Sequence, residues 1–317
     1  MARKPKPIQQ AIQTAAARLA FWFIPLLPRW GLLLLARGLS RFVYLISGKL
    51  RRVGHANLQL VFGDEKSEKE RREILRDVFH HFGIVVLDIF WFSRKPFERI
   101  ERWVKFDPSA EVLFTEGPWV GITGHFGNWE LLGQSIAAKG YPLASVAAPL
   151  SNPKVDELFI QLRQQTGQEI LPQQGAMRGM VKCLRNKGRI ALLLDQNTLP
   201  RNGGIFHEFF DRQVPISSAP AALALKNKAK VHFGFCLPQK DGTYHAYVRS
   251  SLDLSSGFDP REDITKVTRL MTEAMEFEIR ENPGYWLWLY KRFKYLNVGE
   301  DPTRYPDYAR EIKPREL

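Results

Sequence analysis

A helical repeat of apolar residues runs from Leu32 to Ile46 near the start of the chain. If this segment is a helix with about 3.6 residues per turn, its apolar and polar side chains lie on opposite sides. The apolar side holds Leu32, Leu35, Leu39, Phe42, Val43 and Ile46, and the polar side holds Arg37, Ser40 and Arg41. The pattern predicts an amphipathic helix whose apolar face lies in a membrane surface or packs on the protein's own core.

Further along the chain, the pattern changes from helices to alternating strands and helices. Residues 64–92 carry a second helical repeat, whereas short apolar runs separated by helical segments begin at about residue 117. This alternation is typical of βαβ units and predicts a layered α/β fold with a mostly parallel central sheet. Strands are predicted at 119–123, 143–148, 169–171, 189–194, 230–237 and 244–249, and helices at 127–139, 153–166 and 176–187.

Two regions follow from these patterns. Residues 1–105 are predicted to form a basic and apolar helical region associated with a membrane, and residues 106–317 the α/β core. The segment 196–215, rich in Gly, Pro and aromatic residues, is long for a loop in a compact domain. Such a segment is either a lid or substrate wall, or a plain surface excursion.

The positive charge of the chain is concentrated in its N-terminal region. The net charge is +13, yet ten of the 46 Lys and Arg residues precede Asp64, the first acidic residue, which leaves +3 for the rest. Because this basic stretch is also strongly apolar, it favours an anionic membrane surface over nucleic acid as the partner. A clean transmembrane helix is not expected, since charged residues and prolines interrupt the apolar run. These are Arg18, Pro25, Pro28, Arg29, Arg37 and Arg41.

A candidate for chemistry follows the first predicted strand of the core. His125 comes directly after Gly124, and Glu130 follows five residues later. The C-terminal ends of parallel strands face the ligand crevice in open α/β folds. A carboxylate on one ring nitrogen of a histidine fixes its tautomer and leaves the other nitrogen free to take a proton from a hydroxyl. Spacing alone is equally compatible with a histidine that caps a helix and a solvated glutamate.

The residues around this pair resemble those of a known family. The segment Thr123-Gly124-His125-Phe126-Gly127-Asn128-Trp129-Glu130-Leu131 is similar to the His-x4-Asp/Glu block of the lysophospholipid acyltransferase superfamily. In its Asn-Trp-Glu form it resembles the late acyltransferases of lipid A biosynthesis. Further similar blocks follow in order along nearly the whole chain: Arg51-Arg52-Val53 with Asn57-Leu58, Pro149-Leu150-Ser151-Asn152-Pro153, Leu194-Asp195-Gln196-Asn197, Phe206-His207-Glu208-Phe209-Phe210, and Pro283-Gly284-Tyr285-Trp286-Leu287-Trp288 through Arg292-Phe293-Lys294.

The resemblance implies roles for individual residues. His125 would be the general base and Glu130 the group that orients it, with Arg163 and Asp195 supporting catalysis. Asn128, Asn152, Gln196 and Arg292 would bind substrate. Two positions depart from the family pattern: Ala148 stands where Arg is usual, and Tyr290 where His is usual. The missing cation at Ala148 leaves the acceptor less defined than the fold.

The resemblance also implies a reaction. The donor would be an acyl thioester on acyl carrier protein, and the acceptor a hydroxyl of a phosphorylated glucosamine disaccharide lipid at the cytoplasmic face of a Gram-negative inner membrane. No cofactor or metal is expected beyond this thioester, and the absence of Gly-x-Ser-x-Gly argues against an acyl-enzyme hydrolase. The alternatives are an acyltransferase acting on another membrane lipid or glycolipid, and a non-catalytic membrane-binding homologue.

Overall fold

The computed structural model describes residues 7–317 and places a layer of helices ahead of the first strand. These helices are α1 (Pro7–Phe23), α2 (Arg29–Ile46), α3 (Gly48–Phe62), α4 (Glu68–Trp91) and α5 (Pro96–Trp103). The longest of them, α4, begins with a capping box in which Ser67 and Glu70 each accept a hydrogen bond from the other's backbone amide. The basic residues Arg3, Lys4 and Lys6 lie outside the described residues.

The rest of the chain alternates strands and helices as the sequence pattern predicts. In chain order the elements are β1 (Val104–Phe106), β2 (Trp119–Thr123), α6 (Trp129–Ala138), β3 (Leu143–Ala147), α7 (Pro153–Gln164), β4 (Glu169–Pro172), α8 (Ala176–Arg185), β5 (Arg189–Leu193), β6 (Gly204–Phe209), β7 (Arg212–Ser217), α9 (Ala219–Lys226), β8 (Lys230–Pro238), β9 (Tyr244–Leu252), α10 (Ile264–Glu281), β10 (Tyr295–Leu296) and β11 (Arg310–Glu311). The boundary predicted between residues 105 and 106 falls inside β1.

Seven of the strands form one sheet in the order β1-β9-β8-β2-β5-β3-β4. Every neighbouring pair in it is parallel except β8 and β9, which form an antiparallel hairpin. The predicted mixed α/β fold with a mostly parallel central sheet is therefore confirmed. Because β2 and β5 lie side by side and run in the same direction, the residues that follow them meet at one edge of the sheet.

Two apolar layers cover the two faces of this sheet. Leu132 of α6 belongs to one cluster of buried side chains, together with parts of α2, α4 and α7. Met180 of α8 belongs to the other, together with parts of α9 and α10. Successive side chains of a strand point to opposite faces, and in β8 Phe235 joins one cluster while Cys236 joins the other. The protein is thus a three-layer sandwich with α8 and α2 on opposite sides of the sheet.

The segment 196–215 is more ordered than the sequence suggests. It contains a short 3-10 helix, Pro200–Asn202, followed by β6, and the antiparallel pairing of β6 with β7 closes a hairpin. Phe209, Val214 and Ile216 of this hairpin are buried in the core. The segment is therefore part of the folded core and not a plain surface excursion.

Helix α2 turns a different face toward the protein than its periodicity predicts. Leu32, Ala36 and Ser40 are buried, and the hydroxyl of Ser40 lies 2.2 Å from where a Cβ on Gly83 would stand. Small side chains therefore let α2 and α4 approach closely, a reason for burial that a polarity pattern does not contain. The predicted apolar face is split, because Leu32 packs inward whereas other members remain exposed. The exposed members are Leu39, Phe42, Val43 and Ile46.

The outer surface of the first helices is apolar over much of its length. In addition to the exposed members of α2, it displays Ile8, Ile12, Leu19, Trp22, Phe23, Leu26, Trp30, Leu34 and Leu45. Among the described residues, no single helix is long and apolar enough to cross a membrane. One pair of helical segments, Arg29–Ile46 and Gly48–Glu65, has sufficient length and apolar character when taken together, with a bend of 89° between them.

A buried ion pair joins these helices to the core. Arg29 of α2 is 5% exposed and Asp88 of α4 is 2% exposed, and two nitrogens of the guanidinium contact the two carboxylate oxygens. Asp88 also accepts from the hydroxyl of Tyr244 in β9 and, at 3.3 Å, from the side-chain amide of Asn128. Burial alone would lower the pKa of Arg29, but the interactions with Asp88 and Tyr244 together raise it by more, so Arg29 stays protonated. Arg29, expected as part of the surface charge, is therefore a core residue.

Replacing Asp88 by alanine should destabilise the protein strongly. The substitution leaves the charge of Arg29 buried without a partner, which typically costs about 3–5 kcal/mol. The measurement is the free energy of unfolding in urea, compared with that of Asp77→Ala, an exposed carboxylate on the same helix. We expect the control to change stability by less than about 0.5 kcal/mol. Equal effects of the two substitutions would contradict the importance of the pair.

Candidate active site

Two neighbouring parallel strands bring His125 and Asp195 together. β2 and β5 pair in register with Thr123 opposite Leu193, and each strand ends two residues before one of these side chains. The carboxylate oxygen Oδ1 of Asp195 lies 2.9 Å from Nδ1 of His125. Its other oxygen accepts from the backbone amide of His125 at 2.7 Å. The sequence predicts both as catalytic but gives no indication that they touch.

The surroundings of Asp195 fix the tautomer of His125. A third donor, Nε1 of Trp286, contacts Oδ2 of Asp195 at 2.8 Å, and the carboxylate side chain is 3% exposed. An ionised carboxylate only accepts hydrogen bonds, so Nδ1 of a neutral His125 carries the proton and Nε2 carries the lone pair. The ring of His125 is 18% exposed. Its Nε2 is therefore the atom suited to remove a proton from a substrate.

The two side chains shift each other's ionisation in opposite directions. Burial lowers the pKa of His125, but the charge and hydrogen bond of Asp195 raise it by more, so the pKa lies above its ordinary value. Burial raises the pKa of Asp195, and the interaction with His125 lowers it by more. The carboxylate therefore stays ionised and stabilises the imidazolium that forms when His125 accepts a proton.

The turn that carries His125 requires glycine on both sides. Gly127 has a φ of +56°, and a Cβ there would lie 2.4 Å from the carbonyl oxygen of Cys236. A Cβ at Gly124 would lie 3.1 Å from the carboxylate of Asp195. The backbone amide of Gly127 donates to the carbonyl of Tyr285 at 3.0 Å, which fixes the turn to the C-terminal segment. Gly127 therefore serves the close approach of backbone to backbone, and Gly124 the close approach of the Asp195 carboxylate to the backbone.

Glu130 does not contact His125 as the sequence predicts. Its carboxylate accepts from Nε of Arg163 at 2.8 Å and from Nη2 at 2.6 Å. Glu130 lies in the first turn of α6 and Arg163 in the last turn of α7, so this pair joins the two helices. The predicted orienting contact is wrong because Asp195, arriving from the neighbouring strand, occupies Nδ1. Glu130 still contributes a charge that raises the pKa of His125.

Arg163 lies near the site with part of its guanidinium unused. The side chains of Arg163 and Glu130 are 17% and 13% exposed, respectively. Burial lowers the pKa of Arg163, and the hydrogen bond and charge of Glu130 raise it by more. Nε and Nη2 are taken up by Glu130, whereas Nη1 has no hydrogen-bond partner among the described residues. The predicted role in supporting catalysis is compatible with this geometry, because a guanidinium nitrogen without a partner can donate to a phosphate or an oxyanion.

Two predicted substrate-binding residues are instead buried helix caps. Asn128 accepts from the amide of Leu131 at 3.0 Å at the start of α6, and its amide group contacts Asp88 and Tyr244. Asn152 caps α7 by accepting from the amide of Lys154 at 3.2 Å, and its amide group donates to a backbone carbonyl of α1 at 2.9 Å. Since the fold uses both ends of these amides, the structure does not support substrate binding by either residue.

Arg292 is also an interior residue, contrary to its predicted place in substrate binding. It is 1% exposed and donates to the side-chain oxygen of Asn197 at 2.6 Å and to the carbonyl of Pro215 at 3.0 Å. Burial lowers its pKa to about 10. Asn197 lies two residues after Asp195, so Arg292 holds the turn that carries the carboxylate.

Gln196 is the predicted binding residue that reaches the base itself. Its side chain is exposed, and its amide nitrogen lies 3.2 Å from Nε2 of His125. Because Nδ1 carries the proton, Nε2 accepts this hydrogen bond from the amide. The contact therefore occupies the lone pair of Nε2.

Aromatic side chains that sequence reasoning missed form one wall of the site. The ring of Trp129 meets that of His125 edge to face at 4.9 Å between centroids, and Phe82 of α4 stacks on Trp129 at 6.4 Å. Trp129 could have been found from the sequence, because it lies inside the block that carries the family resemblance. No feature of the sequence indicated Phe82.

Ala148, exposed at the end of β3, lies at the same edge of the sheet. Across residues 7–317, no group of three or more His, Cys, Asp or Glu side chains is placed to hold a metal ion.

Comparison with known proteins gives one family match and several relatives. The model of a family described as bacterial lipid A biosynthesis acyltransferase matches residues 7–295. A lipid A biosynthesis acyltransferase of Haemophilus influenzae is 27% identical over 259 residues, 80% of each chain. The lipid A biosynthesis lauroyltransferase of Escherichia coli K12 is 25% identical over 295 residues, 90% of this chain and 92% of that one. A phosphatidylinositol mannoside acyltransferase of Mycolicibacterium smegmatis is 27% identical over 165 residues, 51% of this chain and 52% of that one.

Removal of the charge of Asp195 should lower the pKa of His125. In Asp195→Asn the effect of burial is opposed only by the weaker influence of Glu130, so the pKa should fall below the ordinary value of about 6.5. Nuclear magnetic resonance of labelled histidines gives the titration directly. The control is Glu130→Gln, which should lower the pKa by less; a larger shift in this control would contradict the pairing.

The same pair should make stability depend on pH. Because the pKa of His125 is higher in the folded protein than in the unfolded chain, its protonated form stabilises the fold below the unfolded value. This contribution should be lost as the pH rises through the folded pKa. Urea unfolding between about pH 5 and pH 8 measures it, and the slope attributable to His125 should disappear in His125→Asn.

Proposed function

Because the chain belongs to the bacterial lipid A biosynthesis acyltransferase family and is an O-acyltransferase, we propose that it transfers a fatty acyl chain from acyl carrier protein to a hydroxyl of a lipid A precursor. The observation that carries this proposal is the pairing of His125 with Asp195 at the sheet edge. It leaves Nε2 as a base at a partly exposed position. The acceptor in this proposal is a phosphorylated glucosamine disaccharide lipid.

The proposed mechanism is direct transfer with a general base. Nε2 of His125 removes the proton of the acceptor hydroxyl as its oxygen attacks the thioester carbonyl. The tetrahedral intermediate then collapses, the carbon–sulfur bond breaks, and Nε2 passes the proton of the acceptor hydroxyl to the departing thiolate, which leaves as the thiol. Asp195 holds the ring and stabilises the imidazolium between the two steps. No residue of the protein becomes acylated.

Glu130 and Arg163 act as one unit in this proposal. Glu130 fixes the guanidinium through two nitrogens, and Nη1 of Arg163 remains to stabilise the oxyanion or a phosphate of the acceptor. Trp129 and Glu130 begin α6, and the positive end of the helix dipole at this position favours a developing negative charge. Glu130 therefore supports catalysis through Arg163 and through its charge, without orienting the base.

We place the protein on an anionic membrane surface, at the cytoplasmic face of an inner membrane. The exposed apolar side chains of α1 and α2 are accompanied by the exposed cations Arg37, Arg41, Lys49 and Arg52. Each Lys or Arg close to an anionic leaflet contributes about 1 kcal/mol to binding. An in-plane arrangement of these helices would bring a lipid acceptor to the sheet edge without spanning the bilayer.

A second acceptor class stays open because of Ala148. The position at the end of β3 lacks the cation usual in the family, and relatives described as phosphatidylinositol mannoside acyltransferases match about half of the chain. An acceptor with a glycosylated headgroup and fewer phosphates is the alternative. Purified protein offered both acceptors with the same thioester donor would decide between them, with mass spectrometry of the lipid product as the readout.

Replacing His125 by alanine should abolish most of the acyl transfer. Loss of a general base costs about 10²- to 10⁴-fold in rate. The assay supplies the purified protein with acyl carrier thioester and lipid A precursor and follows the product by mass spectrometry. The control is His245→Ala, a histidine whose side chain is 46% exposed and pairs with Asp107 at the surface. Unchanged activity in His125→Ala would exclude the assigned base.

Replacing Gln196 by alanine should shift the reaction from transfer toward hydrolysis. In the free protein the amide of Gln196 covers Nε2 of His125, so water has limited access to the base. Without the amide, water reaches Nε2 and the acceptor hydroxyl loses a polar neighbour. We expect the ratio of transfer to thioester hydrolysis to fall by about 10-fold, the effect of one good hydrogen bond to a reacting group. An unchanged ratio would show that Gln196 has no such role.

A further inference from the structure

Helix α8 carries an unusual concentration of exposed positive charge. Between Glu169 and Asp195 the chain contains five Lys or Arg residues and no Asp or Glu. Arg178, Lys182 and Arg185 lie on the exposed side of α8, and among the described residues no carboxylate forms an ion pair with any of them. This face is a strongly basic surface in a part of the chain whose overall charge is close to neutral.

The stability of the helix explains only part of this charge. Lys182 and Arg185 lie in the last turn, where cations interact favourably with the helix dipole. Arg178 lies in the first turn, where a cation is unfavourable, and no acidic residue accompanies it. Met177, which is 46% exposed, lies beside Arg178. A cation at an unfavourable position next to an exposed apolar side chain points to a partner that gains from both.

The shape of this surface suits a helical partner. A shallow groove between the side chains is lined by Met177, Arg178, Val181, Lys182, Arg185 and Asn186. These side chains recur at helical spacing along one face, so an elongated acidic element could follow them over more than two turns. Burial of the opposite face of α8, through Met180 and Leu184, holds the groove rigidly against the sheet.

The position of α8 separates this surface from the one assigned to the membrane. α8 packs on the face of the sheet opposite to α2, whose outer side carries the exposed apolar residues. A macromolecule that docks on α8 therefore approaches from the side away from the lipid. The active site lies at the sheet edge between the two surfaces, because β2 and β5 both end there.

The distance between α8 and the base restricts how such a partner delivers its substrate. α8 connects β4 to β5, the direct neighbour of β2, and packs on the strands between them. Its basic side faces away from the sheet, because Met180 and Leu184 on the opposite side are buried. A helix with its side chains is about 10 Å across, so a partner on the basic side is separated from the sheet by α8 itself and must present the reactive group on a flexible arm.

From these observations we infer that the basic face of α8, centred on Arg178, Lys182 and Arg185, docks an acidic helical carrier protein that presents the acyl thioester on a flexible arm. The inference rests on the proposed function, since it assigns a place to the donor of that reaction. Complementary charge at such a surface mainly raises the rate of encounter, and its effect falls with ionic strength.

The test compares two donors in the full-length protein. The variant Arg178→Gln/Lys182→Gln/Arg185→Gln keeps good helix formers in α8 while removing its charge. We expect kcat/KM for the carrier-bound thioester to fall by about 10-fold or more at low salt. With the same acyl chain on a small soluble thioester that lacks the carrier, kcat/KM should stay within about two-fold of wild type. The matched control is Lys69→Gln/Lys240→Gln/Arg261→Gln, three exposed cations elsewhere, which should affect neither donor.

The outcomes separate the docking surface from the reaction. Equal losses with both donors would show that α8 is needed for the fold and overturn the inference, as would unchanged kinetics with the carrier donor. Loss of binding to anionic vesicles with normal carrier kinetics would assign the surface to the membrane and also overturn it. If the wild-type protein used the soluble thioester and not the carrier-bound thioester, this result would contradict both the proposed donor and the docking surface. Normal transfer in wild type with an unaffected triple variant would leave the proposed function intact.

Discussion

The carboxylate of Asp88 accepts hydrogen bonds from three separate parts of the chain: Arg29 in α2, Tyr244 in β9 and Asn128 at the start of α6. A buried charge is costly unless it is both paired and hydrogen-bonded, so these contacts depend on one another. Asn128 uses its amide nitrogen here and its oxygen to cap α6. The packing of the N-terminal helices, the edge of the sheet and the start of the helix after His125 therefore rest on a single charge.

The surrounding fold fixes the distance and the orientation of His125 and Asp195. The neighbouring ends of β2 and β5 set the distance between His125 and Asp195. Gly124 leaves room for the carboxylate of Asp195, and Gly127 lets the turn lie against the backbone of Cys236. Asp195 is then saturated by three donors, two from His125 and one from Trp286. Because this carboxylate has no freedom to turn, the ring of His125 has one tautomer and one orientation. Pre-organisation of this kind lowers the cost of reaching the transition state.

Much of the fold was predictable from the chain, because alternation of apolar runs and helical repeats is a local property. Six of the seven strands of the central sheet, the helices α6, α7 and α8, and the place of His125 at a strand end follow from it, whereas β1 and the hairpin of β6 and β7 were not predicted. The partner of His125 did not follow, because contact with Asp195 depends on the order of strands in the sheet and not on spacing along the chain. Asn128 and Arg292 were misjudged for a related reason: polar residues of a motif can serve its architecture, and only tertiary contacts reveal which do.

Direct transfer without an acylated residue requires donor and acceptor to be present together. A site of this kind needs two routes of access, since neither substrate can leave its acyl group behind for the other. The apolar outer face of α2 and the basic face of α8 lie on opposite sides of the sheet, and His125 lies at the edge between them. In the proposed mechanism the lipid enters from one side and the thioester from the other. The hydrogen bond from Gln196 to Nε2 is consistent with this requirement. In the proposed mechanism, a base exposed before the acceptor binds would activate water, and the thioester would be hydrolysed.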